Sequence, residues 1–250
     1  MSPTALDIEH ATLRTWPARE MEDYHGWRLC AASGVTGRVN ACWPIEWRGG
    51  DIDAAIDAVE AWYTARQLAP RFKLTDGAYA PIDLTAHLER RGYAPTMHTL
   101  IMTASLAAEP AHYEAVTRAS DMPPAFDRAL AESTTDADDL EERRSIAARM
   151  PRPRVFATRE QEDLRALAVG ASACAGKLAG VFLMRTVPEA RRQGHAQHIL
   201  RALLDWAWAQ EATHAFLQVD ADNAPAIALY EREGFTTLAH YCFWRGPLSA

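Results

Sequence analysis

The chain has 250 residues, with 33 acidic and 26 basic side chains and a formal net charge of −7. This acidic balance argues against non-specific nucleic-acid binding as the main activity. The length fits one large domain or two small ones, and a hydrophobic content of 48% is enough for a packed core, which excludes a mainly disordered chain.

Signals for membranes, metals and secretion are absent from the sequence pattern. No run reaches the roughly 20 apolar residues that cross a bilayer, and residues 1–9 lack a basic cluster followed by an apolar run, so we expect a cytoplasmic protein without a membrane partner. The four cysteines are Cys30, Cys42, Cys174 and Cys242. Because they form no C-x-x-C pair, they predict reduced packing residues rather than a metal site or a disulfide framework.

The first half of the chain predicts alternating strands and helices. In chain order these are a hairpin over 27–32 and 38–44, a helix over 52–68, a strand over 71–74, a helix over 82–91 and a strand over 96–106.

The second half predicts a similar order. It begins with a strand over 112–118, helices over 123–132 and 137–149, and strands over 154–158, 164–172 and 178–187. An amphipathic helix follows, with apolar residues at three- and four-residue steps from Ala196 to Ala207. A strand over 215–219, a helix over 224–233 and a strand over 236–244 complete the pattern.

The repeated order indicates an internal duplication. Residues 84–93 align with residues 226–235, and Pro44 aligns with Pro188 after a short gap. We therefore predict two α/β repeats, at 1–109 and 110–250. The alternative is one irregular domain, because strand-helix-strand order and short helix-Gly-aromatic endings also recur by chance.

The turn at 187–196 predicts an anion site. Arg191 and Arg192 stand where a helix begins, and cations there are disfavoured by the helix dipole unless an anion fills the turn. Gly194 and the small Ala196 would let the backbone approach a phosphate or pyrophosphate closely. The turn is neither a Rossmann nor a Walker loop, because it has a single glycine and no Gly-Lys-Ser/Thr. The alternative is a solvated turn whose arginines form surface ion pairs.

A second informative segment follows at 220–235. Asn223 suits a helix N-cap, and Pro225 suits the first helical turn. Tyr230 comes about two turns later, so its hydroxyl shares a face with Asn223 and could line a slot. The alternative is a half-buried core tyrosine.

Together these segments resemble the GCN5-related N-acetyltransferase (GNAT) superfamily. Its motif Arg/Gln-x-x-Gly-x-Gly/Ala is matched by Arg191, Gly194 and Ala196, and its later pattern by Asn223, Ala226, Leu229-Tyr230 and Gly234-Phe235. The resemblance covers about residues 178–235. In outline the chain looks like tandem members of the superfamily, in which two such folds are fused and one has lost activity. The resemblance implies that each half has a mixed, mainly antiparallel twisted sheet flanked by helices. It also implies a splay between the fourth and fifth strands of that sheet.

The resemblance also implies roles for individual residues. Amides of residues 193–197 would bind the acyl-CoA pyrophosphate near the two arginines, strand residues 184–187 would pair with the pantetheine arm, and Asn223 would hydrogen-bond it. The implied acetyl-CoA-binding residues are Met184, Thr186, Val187, Arg191, Arg192, Gln193, Gly194, His195, Ala196, Gln197, Asn223 and Ala226. Tyr230 would face the departing sulfur as the catalytic residue.

The expected chemistry is direct attack of a neutral amine on the thioester. Tyrosine is a weaker acid than a thiol by about 2 kcal/mol, so we expect Tyr230 to hydrogen-bond the developing thiolate. The sequence offers several candidate bases and assigns none, because a water chain would serve equally well. These candidates are Glu141, Glu142, Asp220, His240 and Tyr241. For the two glutamates the alternative is a solvated helix face.

The first half departs from the motif. Trp47 aligns with Arg191, Gly50 with Gly194, Ile52 with Ala196 and Leu88 with Tyr230, so we predict that this half does not catalyse. Its tryptophans could line an acceptor pocket, although we favour a buried contact between the halves. They are Trp16, Trp27, Trp43, Trp47 and Trp62.

We therefore expect an N-acetyltransferase that transfers acetyl from acetyl-CoA to a small primary amine, without nucleic acid. The alternatives are a protein N-terminal or lysine acetyltransferase, a non-catalytic acyl-CoA sensor, and an aminoacyl-tRNA-dependent peptidyl ligase. The acidic charge argues against the last of these.

Overall fold

A computed structural model describes residues 2–106, 116–161 and 165–246. The helices are α1 (Ala5–Thr15), α2 (Ile52–Thr64), α3 (Leu84–Arg90), α4 (Pro124–Glu132), α5 (Ala137–Arg149), α6 (His195–Ala209) and α7 (Ala224–Arg232). The strands are β1 (Glu20–Tyr24), β2 (Trp27–Ala31), β3 (Cys42–Trp43), β4 (Arg71–Thr75), β5 (Ala94–Ser105), β6 (Thr117–Ala119), β7 (Arg154–Glu160), β8 (Ala166–Ala175), β9 (Leu178–Thr186), β10 (His214–Asp220) and β11 (Thr236–Arg245).

In the described part of the chain, the strands form one 11-stranded sheet in the order β1-β2-β3-β4-β11-β5-β10-β9-β8-β7-β6. Most neighbours are antiparallel, whereas β3 with β4 and β9 with β10 are parallel. The predicted α/β fold with a mixed, mainly antiparallel sheet is confirmed.

The two halves share this sheet by exchanging their last strands. β5, at the end of the first half, pairs with β10 of the second half over Thr99–Ser105 and His214–Asp220. β11, at the end of the second half, pairs with both β4 and β5. Each half therefore completes the sheet of the other. The predicted boundary between residues 109 and 110 lies outside the described residues.

Helices cover both faces of the sheet. Phe182 belongs to the buried cluster that contains α1, α4 and α5 side chains, and the preceding Val181 belongs to the cluster formed with α6 and α7. Because successive strand residues point to opposite faces, these two sets of helices cover opposite faces of β9. A third cluster lies under α2 and α3 in the first half.

The splay lies between β9 and β10, the fourth and fifth strands of the second half. Their parallel register runs only from Leu178 to Gly180 on β9 and from His214 to Phe216 on β10. β9 then continues to Thr186 and β10 to Asp220. The carboxyl ends of the two strands are therefore separated, and the edge of β9 that faces the gap is free to pair with an extended ligand.

The N-terminal region differs from the sequence prediction. Helix α1 and strand β1 were not predicted, although Thr4 and Asp7 form a capping box that starts α1. The predicted hairpin partner at 38–44 is instead a short 3-10 turn over Gly37–Val39 followed by the two-residue β3. The hairpin of β2 is made with β1, because Gly26 takes a positive φ of +96° in the turn between them.

Several predicted boundaries also shift. The predicted strand over 112–118 is described only from residue 116, where β6 begins at Thr117, and its earlier residues lie outside the described chain. Residue 164, the predicted start of β8, is likewise not described. No helix in the described ranges is both long enough and apolar enough to span a bilayer.

Candidate functional site

The turn between β9 and α6 opens onto free space. Residues Pro188–Ala190 form a 3-10 turn, and Gly194 is the N-cap of α6 with a left-handed φ of +82°. A Cβ built on Gly194 would meet no other atom within 4 Å. The first N–H groups of an α-helix have no intrahelical acceptor and carry the positive end of its dipole. The turn is therefore shaped to accept an anion through its main chain.

The side chains of the turn leave its amides uncovered. Arg191 Nε donates to the carbonyl oxygen of Thr186 at 3.4 Å, and Gln193 Nε2 donates to that of Glu189 at 3.0 Å. Arg191 and Arg192 are exposed and form no salt bridge with the residues the structure describes. Within the described part of the chain, the arginines are not held in surface ion pairs, and both cations remain available to an anion.

His195, the first residue of α6, supplies an unused donor. Arg159 Nε donates to His195 Nδ1 at 2.9 Å, which places the ring proton on Nε2. Nε2 is buried and has no hydrogen-bond partner in the described chain. Burial lowers the pKa of His195, and Arg159 and His198 lower it further, so the ring is neutral at pH 7. A buried N–H without an acceptor beside the open turn fits a phosphate oxygen.

Contacts between α6 and α7 fix the other wall. Gln197 Nε2 and Arg201 Nε, both on α6, donate to the two carboxylate oxygens of Glu233, each at 2.6 Å. Glu233 follows the last residue of α7, so this fork sets the position of α7 against the anion turn.

Asn223 is the N-cap of α7 and Tyr230 lies on that helix, as predicted. Asn223 is exposed, and its Oδ1 accepts from the backbone N–H of Ala226 at 3.2 Å, which leaves its Nδ2 as a donor toward a ligand. Tyr230 is 8% exposed and packs on Phe235 with ring centroids 6.0 Å apart. Its hydroxyl forms no hydrogen bond with the described residues. Burial raises the pKa of Tyr230 to about 12, opposed by the positive charge of Arg185.

A β-bulge at the end of β9 orients the strand residues. The register with β8 shifts between the pairs Val169–Arg185 and Ala171–Phe182, and Leu183 takes a φ of +53°. Met184 turns toward α6, where its Sδ would lie 2.6 Å from a Cβ on Gly170. Arg185, the next residue, consequently points to the opposite face, beneath α1 and α5.

The other predicted strand residues support the edge of β9. Thr186 pairs with Ala168 of β8, and the N–H of Val187 donates to the carbonyl oxygen of Leu167 at 3.0 Å. Val187 is fully buried. These bonds use the β8 side of β9, so the opposite side of the strand remains open to the splay.

Glu142 is not on a solvated helix face. It is 2% exposed, and its carboxylate accepts hydrogen bonds from Ser33, Thr36 and Asn40 of the first half. Burial raises its pKa, but the hydrogen bonds outweigh burial and lower the pKa overall. This carboxylate joins the two halves and is not placed to take a proton from an amine. Glu141 is exposed, with 77% of its side chain accessible.

The remaining candidate bases have separate environments. An Asp220 carboxylate oxygen accepts from the N–H of Asp222 at 2.9 Å and caps a turn, while His240 is exposed. Tyr241 is buried, with Lys73 Nζ 3.8 Å from its ring centroid, and burial raises its pKa. The base stays unassigned.

One tryptophan of the first half lies at the contact between the two halves, and the others pack within the first half. Trp16 is buried and stacks on Phe182 of β9 with ring centroids 4.9 Å apart, which is the predicted contact between the halves. Trp27 packs instead within the first half, 5.0 Å from Trp47. Trp43 is buried and lies 4.1 Å from Lys73 Nζ, and Trp62 is partly exposed beneath Arg66.

In the described part of the first half, the corresponding helix start differs from the anion turn. At the start of α2, the Asp51 carboxylate accepts from the N–H of Ala54 at 2.8 Å, and Asp53 adds a second negative charge to the first turn. These carboxylates occupy the positive end of the helix themselves, and they would repel a phosphate there.

Sequence reasoning missed Arg185. Its positive charge acts on Tyr230 and opposes the rise that burial causes in the pKa of the tyrosine. A charged residue inside the otherwise apolar run 178–187 was the available signal, because an apolar strand includes an arginine only where the arginine has a partner or a role.

Other features lie away from this site. A recess of about 420 Å³, lined in part by His10, Lys177 and His214, lies near the amino ends of β9 and β10, opposite the splay. All four cysteines are free. Within the described ranges, no group of three or more His, Cys, Asp or Glu side chains is arranged to hold a metal ion.

Over nearly its whole length, the chain is similar to proteins that are named as acetyltransferases. A family model described as "Probable histone acetyltransferase Rv0428c C-terminal" matches residues 5–244. A protein of Bacillus subtilis named "Uncharacterized N-acetyltransferase YobR" is 25% identical over 242 residues, covering 94% of this chain and 95% of that protein.

Solved structures agree with the fold. A GCN5-related N-acetyltransferase from Kribbella flavida superposes with a TM-score of 0.72 at 16% identity, covering 99% of this chain and 98% of that one. A tandem GNAT protein from the clavulanic acid biosynthesis pathway superposes with a TM-score of 0.55 at 15% identity, covering 75% of this chain and 70% of that one.

Proposed function

Because the chain belongs to this family of GCN5-related N-acetyltransferases, we propose that it transfers the acetyl group of acetyl-CoA to a primary amine of a small molecule. The observation that carries the proposal is the open turn at Gly194, at the end of the splay. It combines a left-handed backbone, uncovered amides and two arginines that form no salt bridge with the described residues. A pyrophosphate satisfies each of these groups.

Acetyl-CoA fits the residues around that turn. Amides of residues 193–196, with Arg191 and Arg192, would hold the pyrophosphate, whereas the N–H of Gln197 already donates to the carbonyl oxygen of Gly194 at 3.0 Å. His195 Nε2 would donate to a phosphate oxygen. The open edge of β9 from Met184 to Val187 would pair with the pantetheine arm, and Asn223 Nδ2 would donate to it. The small Ala226, partly buried on α7, leaves room beside the arm. The bound thioester supplies the activated acetyl group.

Tyr230 acts on the departing sulfur. The amine nitrogen forms a bond to the acetyl carbon as the carbon–sulfur bond breaks, the amine proton passes to water, and the electron pair leaves on the thiolate. With a pKa near 12, Tyr230 would lose about 5 kcal/mol by giving a proton to a thiolate whose conjugate thiol titrates near 8.5. It therefore donates a hydrogen bond to the thiolate, which takes its proton from solvent after departure.

A protein acceptor is the second candidate, because the matching family model is described as a histone acetyltransferase. Three arginines at the junction of the two halves, Arg38, Arg143 and Arg185, disfavour it. Histone tails are rich in lysine and arginine, so their approach would be opposed by like charge.

Replacement of Tyr230 tests the mechanism. We expect Tyr230→Phe to lower kcat by about 10²- to 10⁴-fold, with the KM for acetyl-CoA changed less than about threefold, because the lost hydrogen bond forms only as the sulfur leaves. The measurement is CoA thiol release with a panel of small amines and a histone-tail peptide. An unchanged kcat removes Tyr230 from the mechanism, and turnover of the peptide in preference to every small amine overturns the proposed acceptor.

A further inference from the structure

Three arginines meet at the junction of the two halves, on the face of the sheet opposite α6. Arg38 lies in the 3-10 turn before β3, Arg143 on α5 and Arg185 on β9. Their charges act on one another, since Arg143 lowers the pKa of both Arg38 and Arg185. We call these three residues the arginine cluster.

Two contacts assemble the arginine cluster. Glu142 binds Ser33, Thr36 and Asn40, so the residue after it, Arg143, is held against the loop that carries Arg38. The Arg38 guanidinium lies 5.4 Å from the Trp16 ring, which stacks in turn on Phe182 of β9. The β-bulge between Phe182 and Arg185 turns the Arg185 side chain toward the same face of the sheet as Phe182.

The charges of the arginine cluster are not balanced within the described chain. Arg143 Nε pairs with Asp139 at 2.7 Å, whereas Arg38 and Arg185 form no salt bridge with any described residue. The nearby Lys73 has its own partner, Glu9, at 2.5 Å. Burial is the main factor that lowers the pKa of Arg38 and of Arg185. The charge of Glu9 acts on Arg38 and that of Asp139 acts on Arg185, but these carboxylates pair with Lys73 and Arg143. Partly buried guanidinium groups without a directly paired carboxylate are costly unless an anion joins them.

The position of the cluster relates it to the reaction. The positive charge of Arg185 acts on Tyr230, whose hydroxyl would face the sulfur in the proposed function, and all three arginines remain partly accessible to solvent. The acetyl-CoA phosphates have their own site at the start of α6, so the arginine cluster is available to the other substrate.

We propose that the acceptor amine carries its own anionic group, a carboxylate or a phosphate, which the arginine cluster binds. This inference rests on the proposed function and narrows its acceptor. Guanidinium groups bind both anions through paired hydrogen bonds, so the anion would orient the amine toward the thioester. Amino acids and amino phosphates fit this description, whereas polyamines and basic peptides do not.

Matched acceptors test the proposal. Amino acids are compared with their carboxamides and their decarboxylated amines, and phosphoethanolamine is compared with ethanolamine, by thiol release with saturating acetyl-CoA. We expect kcat/KM to be at least about tenfold higher for an anionic member than for its neutral relatives. The two series distinguish carboxylate from phosphate. Equal or better turnover of the neutral members overturns the proposal.

Arg143→Gln then identifies the binding group. It should raise the KM for the anionic acceptor at least about tenfold, while kcat, the KM for acetyl-CoA and turnover of neutral amines change little. Arg128→Gln, which alters an exposed arginine on α4, is the control. A rise confined to the KM for acetyl-CoA would instead assign the cluster to the coenzyme and overturn the proposal.

Binding provides a measurement that does not depend on turnover or on a variant. CoA-saturated wild-type protein is titrated by calorimetry with the same acceptor series. Tighter binding of an anionic member than of its neutral relatives supports the proposal, whereas equal binding, or no binding of any anionic member up to about 10 mM, overturns it. If CoA itself does not bind, the proposed function fails first, so the two failures are distinguishable.

Discussion

At Tyr230, burial decides both the role and its pH dependence. A pKa near 12 keeps the hydroxyl protonated at every pH at which the protein is assayed. We therefore expect kcat/KM to rise with pH as the acceptor amine loses its proton. Below about pH 10, ionisation of Tyr230 should cause no decline in kcat/KM, so the wild type and Tyr230→Phe should have profiles of the same shape. Parallel pH profiles of the wild type and the variant would agree with this account. A decline found only in the wild type would show that Tyr230 ionises during turnover.

Glu142 provides a prediction about stability. Replacing it by Gln should lower the free energy of unfolding at pH 7 by about 2–4 kcal/mol, because several buried donors lose a charged acceptor. Since the pKa of Glu142 is lower in the folded chain, its contribution is complete above the unfolded value of about 4.3 and is lost as the pH falls through the folded value.

Urea denaturation at pH 7, 5 and 3 measures this effect. The difference between wild type and Glu142→Gln should be largest at pH 7 and smallest at pH 3. Glu141→Gln changes the exposed neighbour and should alter stability by less than about 0.5 kcal/mol. Equal stabilities of the two variants at pH 7 would contradict the assigned role.

The sequence could place the turn before α6, the N-cap Asn223 and Tyr230 on their elements, because local signals define these positions: a glycine before a helix, an N-cap and helical spacing. It could not reveal Glu142 or Arg38, whose environments depend on partners about one hundred residues away in the chain. A glutamate in a charged helix has the same local pattern whether it faces solvent or another half of the protein.

At the scale of elements, close packing of β8 against α6 supports the anion turn. A Cβ on Gly170 would lie 2.7 Å from Ile199 Cγ2 and 3.1 Å from Leu203 Cδ1, opposite the bulge of β9. Gly170→Ala should therefore destabilise the protein by about 1–3 kcal/mol through overpacking. Urea denaturation measures this loss.

Ser172 on the same strand provides the control. It is fully buried, and its hydroxyl has no hydrogen-bond partner in the described chain. Ser172→Ala removes that hydroxyl without adding volume, so we expect unchanged or slightly higher stability. If Gly170→Ala is as stable as the wild type, helix α6 is not held by this contact.

Most elements of the second half could be predicted from periodicity and breakers, since its helices have clear caps and its strands are apolar. Helix α1 was missed because its buried face includes Glu9, Thr12 and Thr15, so its sequence lacks an apolar stripe. Glu9 is buried because Lys73 of β4 pairs with it, which is a tertiary contact and leaves no local signal.

At the scale of the whole molecule, the halves are similar in the order of their elements but differ at the starts of α2 and α6. The exchange of β5 and β11 makes one continuous sheet, so the first half stabilises the gap between β9 and β10 by supplying the strand beside β10. This exchange was not predicted, because strand order within a sheet depends on pairing between distant segments. The acidic start of α2 and the open start of α6 predict a single acetyl-CoA site per chain.

Calorimetric titration with acetyl-CoA tests the central claim, that the turn at Gly194 binds the pyrophosphate. We predict one site per chain in the wild type and at least about tenfold weaker binding by Gly194→Val, whose side chain would occupy the open turn. Gly176→Val is the control, because Gly176 also has a positive φ, of +63°, with open space around it, but lies in the turn between β8 and β9. Equal affinities of Gly194→Val and Gly176→Val, or two sites in the wild type, would contradict the account.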